Sequence, residues 1–471
     1  MLAGRYGLPV FICMWVWATA RLIASGGQPD ALLATGRGND FKFLPHQRLP
    51  CVTAQAGLSW PVANSPPGSC HANSVTEGLQ LRDMRMYDII LVNSSQNLNL
   101  TRRSLSMKRT IKITGKIMLI LLAALLIFTV VTCIVHHVKI NEELDILQQN
   151  GLYNPVSVGD YSLNVTKFGN KDGKHTIVAM AGLGMGDCSV SMRQMTACLE
   201  EDNLVVFIDR AGYGLSDDTN NEMTLEYIVE DYRKALRNSG LEGPYILMPH
   251  SIGGAYATYW CSQYPEEIEA IVFVDGSQLS EDAFEDEAIY EVGFETKALA
   301  FLAKIGFSRF VIRDYFYHYP ANYSEEEQYL GDALMYLTFD SIAPESESGL
   351  LVENGRKAFD TIVTNDIPKL YICASWGIKT KEDIIELNEW INEQIDINSL
   401  DMPKRSIEYD DKTIEEILDN FEKARQERLM PYIEKMGNCE LICLGGDHMI
   451  YEQKPIECGE MIKNFIDGLD N

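Results

Sequence analysis

From residue 150 onward the apolar positions fall into two alternating patterns. Short, nearly continuous apolar runs occur at Tyr161–Phe168, Thr176–Ala181, Leu204–Asp209, Tyr245–Pro249, Ile268–Asp275, Lys369–Ala374 and Glu440–Leu444. Runs of this length suit strands covered on both faces. Between them, residues 190–201, 224–239, 253–264, 413–436 and 455–468 carry apolar residues at helical spacing. Repeated strand-then-helix units predict an α/β fold, an open and mostly parallel sheet with helices on both faces. Such a sheet binds ligands beyond the carboxyl ends of its strands. Residues 278–365 interrupt the alternation with aromatic-rich, helix-like sequence, including "YEVGFETKALAFLAKIGFSRFVIRDYFYHY". An insertion of that length between two strands predicts a helical cap over the site.

A different pattern precedes this region. Ile117–Val135 is a 19-residue run without a charge, "IMLILLAALLIFTVVTCIV". At helical rise it spans about 28 Å, close to a bilayer core of about 30 Å. No polar face interrupts it, which argues against a buried core helix. Lys108, Arg109, Lys112 and Lys116 precede the run, and Glu142, Glu143 and Asp145 follow it. The positive flank stays cytoplasmic, which puts the C-terminal part on the extracytoplasmic side. No A-x-A cleavage pattern follows, so the run reads as an uncleaved, single-pass anchor in the cell membrane. In residues 1–106, beyond an apolar stretch Phe11–Ala24 broken by Arg21, Pro, Gly, Asn and Ser are scattered without helical or strand period. A basic n-region opens at "SMKRTIKITGK". Met107 therefore reads as the natural start and residues 1–106 as an upstream extension of the reading frame, the alternative being a genuine N-terminal domain with a second membrane segment. The expected organisation is 1–106 extension, 107–140 basic flank and anchor, and 150–471 globular domain.

Charge separates the parts further. Residues 1–106 hold nine Lys/Arg against five Asp/Glu, whereas the remainder holds 31 against 62. A total of −27 argues against nucleic-acid partners and against electrostatic docking on anionic lipid. Cys439 and Cys443 are spaced CxxxC in a predicted strand without a second ligand pair nearby, so they read as packed free thiols rather than a metal site. No cofactor motif is present.

Ser251 lies in "YILMPHSIGGAYATYW", between an apolar strand and a small-residue helix start. That is the strand–turn–helix setting of a G-x-S-x-G nucleophile, with Pro249 in the place of the first glycine. Proline is compact but lacks an N–H, which the end of a strand tolerates. The N–H of Ile252, at the helix start, suits a developing oxyanion. The stretch "IVAMAGLGMGD" runs a strand into a Gly-rich turn, where a backbone amide can approach an anion closely. The G-K-[ST] ending of a phosphate loop is missing. His448 follows the last strand in "ICLGGDHMIYEQKP", a loop position from which a base can reach the nucleophile.

As an ordered set, "AGLGMG", "DRAGYGLSD", "PHSIGG", "YPEEIEAIVFVDGS" and "GGDHMIYEQKP" resemble the α/β-hydrolase superfamily over residues 155–471. The resemblance implies the α/β-hydrolase fold and a triad in the chain order Ser, acid, His. It implies Ser251 as nucleophile, His448 as base, and the amides of Leu183 and Ile252 as the oxyanion hole. Besides Pro249, one departure stands out. The histidine common before the oxyanion glycine, which braces that loop in the family, is Ala181 here. The acid stays open. Asp275, ending "IVFVD", is the first candidate. Asp383 and Glu382 are alternatives, although they begin a predicted helix where acids are ordinary partners of the dipole. Asp209 is expected to brace its own turn, and Asp447 to point elsewhere.

The expected function is a membrane-anchored serine hydrolase that cleaves a small-molecule ester or amide through an acyl-enzyme, without cofactor or metal. The aromatic cap suggests an apolar group on the substrate. Two further readings stand beside it: a proline-iminopeptidase-like aminopeptidase or acyltransferase on the same triad, and a non-catalytic binding protein that kept the fold.

Overall fold

The computed structural model describes residues 80–280, 293–311, 317–400 and 402–470. The expected extension 1–106 lies largely outside them. Its described part is helical: α1 runs Gln80–Gln149 without a break. Residues 80–106 lack Pro and Gly, so nothing in them stops a helix, even though they show no apolar stripe. The chain divides into two compact units, and the boundary falls within α1, between Phe128 and Thr129. Ser106–Gln149 contains an 18-residue window of mean hydropathy 3.0 with 6% of that window buried. Leu119, Ile120, Leu122, Leu125 and Leu126 are all exposed. By length and composition this helix is a candidate membrane span.

The globular unit is built on eight strands: β1 Pro155–Ser157, β2 Ser162–Gly169, β3 Thr176–Met180, β4 Leu204–Ile208, β5 Tyr245–Ser251, β6 Ile268–Gly276, β7 Lys369–Cys373 and β8 Cys439–Cys443. Their order across the sheet is β1-β2-β4-β3-β5-β6-β7-β8. Pairing is parallel from β4 through β8, and antiparallel for β1·β2 and β2·β4. The sheet is thus mostly parallel, as its strand sequences predict. β1 was not anticipated, because three residues are too few to carry a pattern.

Both sheet faces are buried. In β5, Tyr245 and Leu247 join one core cluster with Ile228, Tyr232 and Trp260, while Ile246 and Met248 join another with Cys458, Ile462 and Ile466. Alternate side chains point to opposite faces, so a strand buried twice needs an unbroken apolar run. Helix α2 (Leu225–Asn238) starts where the Thr224 hydroxyl accepts from the Tyr227 amide, and it buries Leu225, Ile228, Val229, Tyr232, Ala235 and Leu236 on one stripe. Helix α3 (Gly253–Gln263) follows β5 directly.

Between β6 and β7 lie α4 (Phe294–Lys304), α5 (Glu325–Phe339), α6 (Ala343–Gly349) and α7 (Leu351–Asp360). The last of these returns to the sheet layer: Ala358 is in the core cluster, with Leu351, Val352 and Phe359 packed against it. After β7 comes α8 (Lys381–Ile397), then α9 (Asp411–Ala424), and α10 (Pro455–Leu469) closes the chain. The expected helix 190–201 is instead a series of short turns, Cys188–Ser191, Arg193–Thr196 and Ala197–Leu199. The helical run 413–436 passes through a π turn at Arg425–Leu429 just before Pro431. A proline lacks the N–H of the regular ladder and crowds the carbonyl four residues back, and a widened turn accommodates both.

Beyond Thr129, α1 packs on the insertion. Arg309 donates from Nη1 to Glu143 at 2.7 Å and from Nε to His136 Nδ1 at 3.0 Å, and His136 Nε2 meets Asp340 at 3.1 Å. A side chain at Gly306 would collide with Thr132 O and His136 Cβ, at 2.6 and 2.4 Å.

Candidate active site

Ser251 is the last residue of β5 and has φ +52°, the left-handed region that non-glycine residues rarely adopt. Strand, turn and helix meet closely there. A Cβ at Gly253 would lie 2.6 Å from Met180 O, and one at Gly254 would lie 3.0 Å from Ser277 N. The Ser251 carbonyl accepts from Ser277 N at 2.8 Å, which holds the turn to the end of β6. Strain of this kind is stored at sites whose surroundings over-determine it. Pro249 pairs with Met180 across β3·β5 and is buried within the strand.

The Gly-rich turn after β3 lies against this elbow. A Cβ at Gly182 would come within 3.1 Å of Ser251 Cβ and 2.9 Å of His250 Nδ1. Gly182 N–H donates to Met185 Sδ at 3.2 Å and Gly184 N–H to Tyr213 Oη at 3.3 Å. Among the described residues, neither the Leu183 nor the Ile252 amide has an acceptor within the protein.

Asp275, at the carboxyl end of β6, is fully buried and also has positive φ, +43°. Its Oδ1 accepts from the Ala374 and Ser375 amides at 2.8 and 3.1 Å. Its Oδ2 accepts from Ser375 Oγ at 2.8 Å and meets His448 Nδ1 at 2.7 Å. Three protein donors leave the carboxylate as the acceptor toward histidine, so the Nδ1 nitrogen carries the proton and Nε2 is left basic. His448 Nε2 is buried without a protein partner.

Asp383 and Glu382 take other places. Asp383 Oδ2 accepts from the Lys379 and Thr380 amides at 2.8 and 2.9 Å, which forms the capping box of α8. Glu382 is exposed in the first turn of that helix. Asp447 accepts from the Met449 amide. Asp209 accepts from Leu215 N at 3.0 Å within its own turn and from Asn164 Nδ2 of β2 at 3.1 Å, and burial pushes its carboxyl up to about 7.

Several contributors had no clear signal in the sequence. His250 Nε2 donates to the His448 carbonyl at 3.0 Å, and the two rings lie 4.6 Å apart. Burial, then the nearby His448 charge, pushes His250 down to about 3, so it braces the loop as a neutral ring. Arg210 reaches under the Gly-rich turn, where Nη1 donates to Ala181 O at 2.7 Å and Nη2 to Gly182 O at 2.8 Å. Its Nε donates to Glu347 of α6 at 3.0 Å. This is a brace in a place where Ala181 supplies none. Arg210 was visible only as part of "DRAGYG", and Glu347 sits in "PESESG", which carries no local signal.

The insertion touches the loops on both sides. Thr338 of α5 accepts from Gly214 N at 2.9 Å, Tyr319 hydrogen-bonds Asp187 after the Gly-rich turn, and Tyr317 donates to Glu452 after His448 at 2.7 Å. Among the described residues no group of three or more His, Cys, Asp or Glu side chains is placed to hold a metal ion.

Comparisons with known proteins follow the same lines. A family model described as alpha/beta hydrolase fold matches residues 182–302. The uncharacterized protein YbdG of Bacillus subtilis (strain 168) is 32% identical over 270 residues, covering 55% of this chain and 79% of that protein. The Arabidopsis thaliana protein named "Putative methylesterase 14, chloroplastic" is 36% identical over 101 residues, 20% of this chain and 29% of its own. Among solved structures, a membrane phospholipase A described as a bacterial virulence factor shares 16% identity, covers 74% of this chain and 98% of its own, and has a TM-score of 0.41. With a largely parallel sheet, the family model on its central segment and the long match to YbdG, this chain belongs to the α/β-hydrolase fold family.

Proposed function

We propose that this protein is a membrane-anchored serine hydrolase acting on an ester that carries an apolar group. The observation behind this reading is the His448 Nδ1 to Asp275 Oδ2 contact of 2.7 Å beside a serine held at positive φ on the neighbouring strand end. In this reading Ser251 Oγ attacks the carbonyl carbon as His448 Nε2 takes its proton. Asp275 holds the imidazole in the required tautomer and stabilises the imidazolium. The Leu183 and Ile252 amides receive the oxyanion, and His448 returns the proton to the leaving alcohol. Water then attacks the acyl-enzyme by the same route. The methylesterase name of the Arabidopsis relative favours an ester over an amide, and the aromatic-rich sequence of the insertion favours an apolar group.

A fluorophosphonate probe tests the chemistry on the full chain in detergent. The parent becomes labelled, and Ser251→Ala and His448→Ala do not. An unlabelled parent discards the hydrolase reading and leaves a binding role. Initial rates on methyl esters against aminoacyl amides separate esterase from peptidase.

Anchoring rests on the apolar window within Ser106–Gln149. The basic flank Lys108, Arg109, Lys112 and Lys116 favours an extracytoplasmic catalytic domain. Eight unpaired cysteines among the described residues favour a reducing compartment instead. Protease accessibility in sealed spheroplasts or vesicles decides between the two sides.

A further inference from the structure

The family's usual loop-bracing histidine is Ala181 here, yet the Gly-rich turn is not left unsupported. Resting on the hydrolase reading, we propose that Arg210 is the positioning residue of the oxyanion hole, and that Glu347 makes its grip depend on the seating of the insertion. The carbonyl of one residue and the N–H of the next lie in one trans plane and point in opposite directions. Arg210 Nη2 holds the Gly182 carbonyl at 2.8 Å, so it also sets the direction of the Leu183 N–H. Nη1 holds the preceding carbonyl, Ala181 O, at 2.7 Å, and the rigid fork of the guanidinium thereby orients two successive planes at once.

The neighbouring amides are already engaged, Gly182 N–H with Met185 Sδ and Gly184 N–H with Tyr213 Oη. Leu183 N–H, between them, is left to receive an external oxygen. The cation also polarises the Gly182–Leu183 peptide in a medium with little water, which strengthens that N–H as a donor. If the plane flipped, a carbonyl would face the site and repel an oxyanion.

Arg210 is itself held from the insertion. It is 3% exposed and its Nε donates to Glu347, which is fully buried. The other Glu347 oxygen accepts from Tyr256 Oη of α3 at 2.6 Å. Asp218 accepts from Ile342 N and Ala343 N at 2.9 Å each, docking the start of the helix that carries Glu347. Displacing α6 would remove the counter-ion and loosen the fork. The oxyanion donor is therefore set by a chain that runs from the insertion through Glu347 and Arg210 to Gly182.

The test compares Arg210→Lys, Glu347→Gln and, as a control, Thr258→Val, which removes a buried α3 hydroxyl bonded to Gly254 O and Tyr432 Oη, each as the full chain in detergent. Turnover of a p-nitrophenyl ester is measured per fluorophosphonate-titrated site, together with melting temperature and the affinity of a trifluoromethyl ketone, which forms an oxyanion adduct with the serine. Arg210→Lys should lose about a hundredfold in kcat and in ketone affinity, with KM within about threefold. Glu347→Gln should lose about tenfold in the same pattern. Thr258→Val should melt earlier and keep its turnover per site. If both Arg210→Lys and Glu347→Gln keep kcat per site and ketone affinity within about threefold, the proposal is overturned while the hydrolase reading stands. If the parent neither labels nor turns over, both fall. Should Arg210→Lys fail to fold, the Glu347→Gln result decides alone.

Discussion

Asp275 and Asp383 are both aspartates that accept backbone amides, and their surroundings give them different work. Asp275 has no exposure and faces His448, whereas Asp383 closes the N-terminal turn of α8. Asp275→Asn should keep the fold and lower kcat by about 10⁴, because the amide no longer fixes the histidine tautomer. Ester turnover per titrated site measures this. Asp383→Ala should instead cost about 1 kcal/mol of stability in a thermal melt and leave turnover alone. Glu452 yields a prediction in pH. Burial pushes its carboxyl from the ordinary 4.5 to about 8. Between those values the folded state holds a proton that the unfolded chain has released, so stability falls as pH rises through that window and levels off above it. Glu452→Gln should flatten the dependence and raise the urea midpoint at pH 9 relative to the parent. No change in slope between pH 5 and 9 would reject this account. At this scale Ser251 and His448 could be singled out from local motifs, whereas Glu347 could not. Its partner Arg210 is 137 residues away in the chain, and no short-range pattern marks such a pairing.

The elements follow the same division. The strands from β3 to β7 were legible because double burial demands apolar runs, the half-buried edge strand β8 because its apolar residues still pack on both faces, and α2 because its buried stripe repeats at helical spacing. The helical run after Asp411 was legible as a whole, but its π turn comes from one proline and had to be seen. The junction of α1 with the insertion was not legible at all. Arg309 and Glu143 side chains are 10% and 6% exposed, and each is the other's main counter-charge. Arg309→Ala leaves Glu143 buried and uncompensated, a loss on the order of 3–5 kcal/mol for a pair of this kind. The expected result is faster amide exchange in α4 and in residues 129–149 of α1, with the central strands unaffected. Equal protection in parent and variant would show that the pair does not hold these elements together.

For the whole molecule, the apolar run is the feature with the largest consequence. The full chain should stay in the membrane pellet after carbonate extraction. Replacing Leu121 and Leu125 by Arg should release it, since an arginine near a helix centre costs about 2.5–3.5 kcal/mol of insertion free energy. Retention of the double variant would mean that another part of the chain binds the membrane. What the sequence by itself determined is whatever depends on local periodicity and on short motifs: the α/β class, the insertion between β6 and β7, the apolar helix, and the serine and histidine as candidates. These are legible because burial period and turn chemistry are written in neighbouring residues. Only the tertiary structure decided which carboxylate meets His448, because Asp275 comes 173 residues earlier and is aimed by the end of β6 and the turn after β7. It also decided that Arg210 stands under the Gly-rich turn. Both contacts depend on sheet order and on strand ends brought side by side, and a chain read residue by residue carries no measure of that proximity.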